Sequence, residues 1–110
     1  MPKEKVVVVA CATSLGTSGN YAEVIKKFAN QEKVAVKVVQ ISLSGRQIED
    51  YIKRYGKPHF ILGSPAWGIK QRLTRSGADD IPVVDGIALL TGVGKEKVEE
   101  KIIELLRSED

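Results

Sequence analysis

Val6-Val7-Val8-Val9-Ala10-Cys11-Ala12-Thr13-Ser14-Leu15-Gly16-Thr17-Ser18-Gly19-Asn20 is the stretch whose reading decides the fold. Its first half is an apolar run of strand length, rich in β-branched residues, and such a run fits a strand buried on both faces. The run ends at the only cysteine in the chain. Small and polar residues follow, broken only by Leu15, and a helical pattern begins near Asn20. A strand, a tight polar loop and a helix start in succession gather backbone N–H groups at the positive end of a helix dipole. That nest suits an anion. No Asp, Glu, Lys or Arg lies between Cys11 and Ala22. A ligand there would be held by backbone amides and by the hydroxyls of Thr13, Ser14, Thr17 and Ser18. A thiol at the mouth of the nest has its thiolate favoured by the same field, which makes Cys11 a candidate nucleophile for a phosphoryl group. The other reading of Cys11 is a small apolar residue closing a buried strand.

Outward from this stretch, strands alternate with helices. The first strand is expected from Lys5 to about Ala10, and the first helix from about Asn20 to Gln31. Tyr21, Val24, Ile25 and Phe28 fall at helical spacing on one face, with Glu23, Lys26, Lys27 and Asn30 on the other. The second strand reads as Val34 to Ile41, and Lys37 within it points to a partly exposed face or an edge. A helix from about Gly45 to Tyr55 repeats the spacing with Ile48, Tyr51, Ile52 and Tyr55, and Gly56 stands where a helix stops. The third strand is His59 to Gly63. Ser64 to Ile81 is the hardest segment to read, with a short helix from Ala66 to Arg75 weakened by Gly68 and ended by Gly77. The fourth strand is Pro82 to Asp85, and Ala88 to Thr91 is an apolar approach to a last helix starting near Gly94. Val98, Ile102, Leu105 and Leu106 give that helix its buried face. Alternation with short links implies an α/β fold, a parallel sheet with helices on both faces.

The bulk numbers bound the function classes. One hundred and ten residues, 43% hydrophobic and 28% charged, suit a single domain over residues 1–110 with a core of ordinary size. No apolar run approaches a membrane span, the N-terminus lacks a signal-peptide layout, and one cysteine excludes an internal disulfide framework. A cytosolic protein is expected. The net charge of +3 and 5% aromatic residues leave too little for a basic stripe with stacking platforms, so nucleic-acid binding is not expected.

Other residues carry weaker signals. His59, the only histidine, opens a strand, which favours a structural role over a phosphoryl relay. One Cys and one His make no zinc site. Trp67, beside Pro65 and Gly68, reads either as a sugar platform or docking aromatic, or as a cover over the sheet edge. Lys70, Arg72 and Arg75 form a basic cluster, either a solvated helix face or a surface for an acidic partner. Gly92-x-Gly94 is too short for a dinucleotide fingerprint and reads as a turn. Asp85 ends the fourth strand, where catalytic acids and helix caps both occur, and is a secondary site candidate.

Cys11-x5-Thr17-Ser18, opening a helix after an apolar strand, resembles the phosphocysteine loop of the IIB components of bacterial sugar phosphotransferase systems. Ile81-Pro82-Val83-Val84-Asp85-Gly86, followed by Thr91-Gly92-Val93-Gly94 and a terminal helix, resembles the galactitol group more closely than the lactose/cellobiose group. The chain departs from the pattern after the cysteine, where Ala12-Thr13-Ser14 replaces a segment that often carries glycine. The resemblance implies a three-layer sandwich with a four-stranded parallel sheet in the order 2-1-3-4. It implies that Cys11 takes a phosphoryl group from a IIA phosphohistidine, that Ala12, Thr13, Ser14, Leu15, Gly16, Thr17 and Ser18 cradle it, and that a carbohydrate bound by a membrane IIC partner receives it. It implies no metal or organic cofactor and no insertion of this chain into the membrane. A similar architecture with Cys-x5-Arg resembles a low-molecular-weight tyrosine phosphatase, but Thr17 stands in the arginine's place here. Without the guanidinium the loop should hold a phosphoryl group and hydrolyse it slowly. A slow hydrolase and a non-catalytic partner-binding module are the alternatives.

Overall fold

In the computed structural model, which describes residues 5–11, 17–42, 46–64 and 66–107, the valine run forms β1 (Lys5–Cys11), an interior strand. The chain continues through α1 (Thr17–Glu32), β2 (Val36–Ser42), α2 (Gln47–Tyr55), β3 (Phe60–Ser64), α3 (Ala66–Arg75), β4 (Val83–Asp85), α4 (Ile87–Thr91) and α5 (Lys95–Arg107). The four strands make one parallel sheet in the order β2-β1-β3-β4, the order implied by the IIB resemblance.

Alternation along β1 divides the core into two layers. Val7 and Val9 pack with Phe60, Leu62 and Val84 under Tyr21, Ile25 and Phe28 of α1 and Ile102, Leu105 and Leu106 of α5. Val8 and Ala10 face the other way with Ile61, under Ile48 of α2 and Ile69 and Leu73 of α3. Each of the larger buried aliphatic and aromatic side chains contributes about 1.5–3 kcal/mol, and the two layers are why β1 is apolar at every position from Val6 to Ala10 and not at every second one. β2 is the edge expected from Lys37, whose side chain is exposed.

Several boundaries differ from the sequence expectation, each for a local reason. β1 runs to Cys11 because the ladder to both neighbours continues to that residue. α1 begins at Thr17, three residues before the expected Asn20. Its apolar spacing starts only at Tyr21, so periodicity cannot show the turn before it. At the far end, the amides of Lys33 and Val34 close on the carbonyls of Asn30 and Ala29, with Lys33 left-handed at φ 57°. That closing turn takes Val34 out of the strand, and β2 starts at Val36. α2 starts at Gln47; the expected start at Gly45 lies outside the described residues. Tyr55, expected on its buried face, is exposed and stacks on Tyr51 at 5.0 Å between centroids. β3 and β4 each start one residue later than expected, at Phe60 and Val83. Ala88 to Thr91, read as an apolar approach, lies within the short helix α4.

The end of α5 is fastened from the sheet. Lys5 Nζ donates to the Leu106 carbonyl at 2.5 Å and His59 Nε2 to the Leu105 carbonyl at 2.6 Å. A carbonyl only accepts, so the His59 hydrogen lies on Nε2. Arg107 adds an ion pair to Glu32 of α1.

Candidate functional site

The ends of three strands meet at Cys11. In the parallel register its backbone lies opposite Ser42, the last residue of β2, and opposite Ser64, the last residue of β3. The helix that follows β1 packs on one face of the sheet and the helix that follows β3 on the other. The chain therefore diverges to opposite faces beyond these two adjacent strand ends. Open α/β sheets bind ligands in the crevice made there.

Two features tune the electrostatics of this edge. α1 begins at Thr17 and Ser18, and its first turn holds no acidic residue. A sixteen-residue helix therefore brings the amides that lack intrahelical partners and its positive dipole end to this edge, with no acidic residue in its own first turn. Of the expected cradle, Thr17 and Ser18 are thus placed at the head of α1. Ala12, Thr13, Ser14, Leu15 and Gly16 lie outside the described residues.

Asp85 supplies a carboxylate at the same edge, and it is already engaged. The Ala66 amide donates to Oδ2 at 3.3 Å and the Ile87 amide to Oδ1 at 3.0 Å. One side chain thus caps the starts of both α3 and α4. The sheet is tight beside it. Gly63 pairs with Ala10 and Asp85, and a Cβ on it would meet the Ala10 oxygen at 2.2 Å and Ile69 Cδ1 at 2.6 Å. Gly86 similarly leaves room for the buried Tyr21 ring, which a Cβ would meet at 2.6 Å.

No protein-family model matches the chain. The galactitol-specific EIIB components of the PTS of Escherichia coli O157:H7 and of Shigella flexneri are each 31% identical to it over 101 residues, 92% of this chain and 95% of theirs. The chain belongs to the galactitol-type EIIB family. The corresponding component of Escherichia coli strain K12 is 29% identical over the same span. Among solved structures, the lactose-specific IIB component domain of the PTS from Streptococcus pneumoniae matches with a TM-score of 0.55 at 21% identity. The match covers 96% of this chain and 93% of that one, and it shows a shared fold. The relatives are components of a phosphotransferase system, and the C-x5-T-S spacing pointed to the right family.

The other candidate residues of this EIIB scatter. His59 lies at the opposite edge of the sheet, where its amide bonds Val6 and its ring holds α5. It is a fastener, just before the start of β3 and at the other end from Ser64, which pairs with Cys11. Trp67 stands in the first turn of α3 with 68% of its surface exposed, and Ile87 opens α4 at 48%. Both flank the Asp85 cap on the edge that ends in Cys11. Ile87 was missed in the sequence because nothing there distinguishes an exposed isoleucine from the apolar run beside it. The basic cluster divides, since residues two apart on a helix point to opposite sides. Arg72 turns to Glu49 of α2, with Nη1 to Oε1 at 3.8 Å, and Lys70 is exposed. Among the described residues no three His, Cys, Asp or Glu side chains gather as a metal site, and no helix is long and apolar enough to cross a membrane.

Proposed function

We propose that this EIIB carries a phosphoryl group on Cys11, taking it from a phosphohistidine of a IIA partner and passing it to a sugar alcohol held by a membrane IIC partner. In the first transfer the Cys11 thiolate attacks phosphorus, the S–P bond forms and the P–N bond breaks. The imidazole leaves and regains its proton balance from solvent. In the second, an alcohol oxygen attacks, the O–P bond forms, the S–P bond breaks and the hydroxyl proton is released. The thiolate is regenerated. The loop from Ala12 to Ser18 cradles the phosphoryl oxygens with its amides and hydroxyls. Trp67 and Ile87, on the same edge, give a partner an apolar rim to meet. Galactitol is the sugar alcohol named for the relatives, and it is the acceptor of choice to try. The chain works in the cytoplasm against the membrane partner.

The observation that carries this reading is the placement of the only cysteine at the end of β1, between two other strand ends, with a helix whose first turn has no acid following it in the chain. The test is intact-protein mass after incubation with a phosphorylated IIA protein. The parent should gain about 80 Da, one phosphoryl group, and Cys11→Ala should gain nothing. An equal gain in Cys11→Ala would move the phosphoryl group to another residue, His59 first.

A further inference from the structure

A second collection of charge lies between α2 and α3, away from the thiol. Arg46, which caps α2, and Glu49 in its first turn face Arg72 and Arg75 at the end of α3. With Ser76 they line a cavity of ≈ 370 Å³, within the size range of small-molecule sites. An adjoining cavity of ≈ 460 Å³ shares Arg46, Glu49, Arg75 and Ser76 and adds Lys53 and Asp50. Cations outnumber anions around both. Arg46 and Arg75 are exposed and have no ion-pair partner among the described residues. Glu49 Oε1, by contrast, is buried and accepts no hydrogen bond among them. Arg72 Nη1 at 3.8 Å supplies charge to it but stands beyond hydrogen-bond length.

These two needs are opposite and lie side by side. Forked guanidinium groups match the oxygens of a phosphoryl group. A buried carboxylate oxygen needs a donor, and an anion with acceptors alone would be repelled by it. A ligand that satisfies both has a phosphoryl end and a hydroxyl-bearing chain. We propose that the α2–α3 groove binds a phosphorylated polyol, with the phosphoryl group on Arg46 and Arg75 and a hydroxyl donating to Glu49. The site stands on the groove's own chemistry and does not depend on whether Cys11 carries phosphate.

The test is a titration of the ¹⁵N-labelled chain with glucitol phosphate, with free glucitol and inorganic phosphate as partial probes, at an ionic strength of about 0.15 M. Backbone amide shifts of Glu49, Arg72, Arg75 and Ser76 report the groove, and those of Cys11, Thr17 and Ser18 report the thiol loop. Glucitol phosphate should move the groove amides saturably, with an affinity about tenfold above that of inorganic phosphate, the worth of one good hydrogen bond. Arg46→Gln with Arg75→Gln, both at exposed positions, should weaken it by about tenfold or more. Glu49→Ala should abolish the preference over inorganic phosphate, and Glu49→Gln, which keeps an acceptor oxygen, should retain it. Shifts confined to Cys11, Thr17 and Ser18 would overturn the proposal. So would equal affinity for the two phosphates in the parent, or a preference that survives Glu49→Ala.

Discussion

Gly63→Ala tests how closely the site edge is built. Nothing in its backbone conformation demands glycine, since its φ is not in the left-handed region; the demand is for space. A Cβ there would sit 2.2 Å from the Ala10 carbonyl oxygen and 2.6 Å from Ile69 Cδ1, where ordinary contact begins at 3.4 Å. Ile69 can turn to another rotamer. Ala10 O cannot, because it belongs to the backbone of β1, so β1 and β3 must part by about 1 Å. Overpacking alone costs about 1–3 kcal/mol, and parting the strands weakens ladder bonds of about 1 kcal/mol each. The reduced freedom of the unfolded alanine chain returns about 0.4–1 kcal/mol. A net loss of about 3 kcal/mol is expected, a large share of the roughly 5–15 kcal/mol that holds a domain together. With an m-value of about 1.5 kcal/mol/M, the urea midpoint followed by circular dichroism should fall by about 2 M. A midpoint within about 0.3 M of the parent would refute the close approach of the two strands. Gly63 is one residue from Ser64, which pairs with Cys11, so any folded fraction should also accept phosphate more slowly than the parent.

Thr17→Arg should shorten the lifetime of the phosphorylated chain by about tenfold or more, because a guanidinium at this position stabilises the charge that develops as phosphate leaves. A folded variant that holds its phosphate as long as the parent would show that position 17 does not separate carrier from hydrolase. Asp85→Ala removes the acceptor of the Ala66 and Ile87 amides and should cost about 1–2 kcal/mol, read as a fall in Tm of about 4–8 °C. Asp85→Asn should keep phosphoryl uptake on Cys11; uptake lost in a folded Asp85→Asn protein would make the carboxylate a participant in transfer. The hydrogen bond from Arg107 holds Glu32 below its ordinary value of 4.5, and that from Lys57 holds Asp80 below 3.8. Lowered carboxyl values mean that the unfolded chain binds more protons, so these pairs contribute fully above the ordinary values and lose their contribution as pH falls through the lowered ones. Urea midpoints from neutral pH downward should therefore fall more steeply in the parent than in Glu32→Gln with Asp80→Asn, and parallel curves would refute the two pairs.

The fold was legible at most positions where burial imposed a period, Tyr55 at the end of α2 being the exception. The continuous valines of β1 and the spacing of Tyr21, Ile25 and Phe28 each report a face in contact with the sheet, and both appear where expected. The Cys-x5-Thr-Ser spacing pointed to the family to which the curated relatives belong. Legibility failed where a contact is made by backbone or by residues far apart in sequence. Gly63 reads as an ordinary strand residue until the Ala10 oxygen is seen against it. Asp85 reads equally as acid or cap, and only the amides of Ala66 and Ile87 decide how its oxygens are engaged. Arg72 and Lys70 look like one cluster in the sequence and are parted by the turn of the helix between them.

The fastening of α5 by Lys5 and His59 also sets an order of events in folding. Lys5 and Leu106 are 101 positions apart, and the sheet face bearing Val7, Val9, Phe60 and Leu62 is covered by α1 and α5 together. Until α5 has been made, a growing chain can shield only part of that face, and the bare remainder is the kind of surface on which partly folded chains aggregate. Such long closures also slow folding, since chain entropy is spent before the contacts that reward it. A chain that has emerged without its α5 docked would therefore leave one apolar side of its sheet open to chaperones.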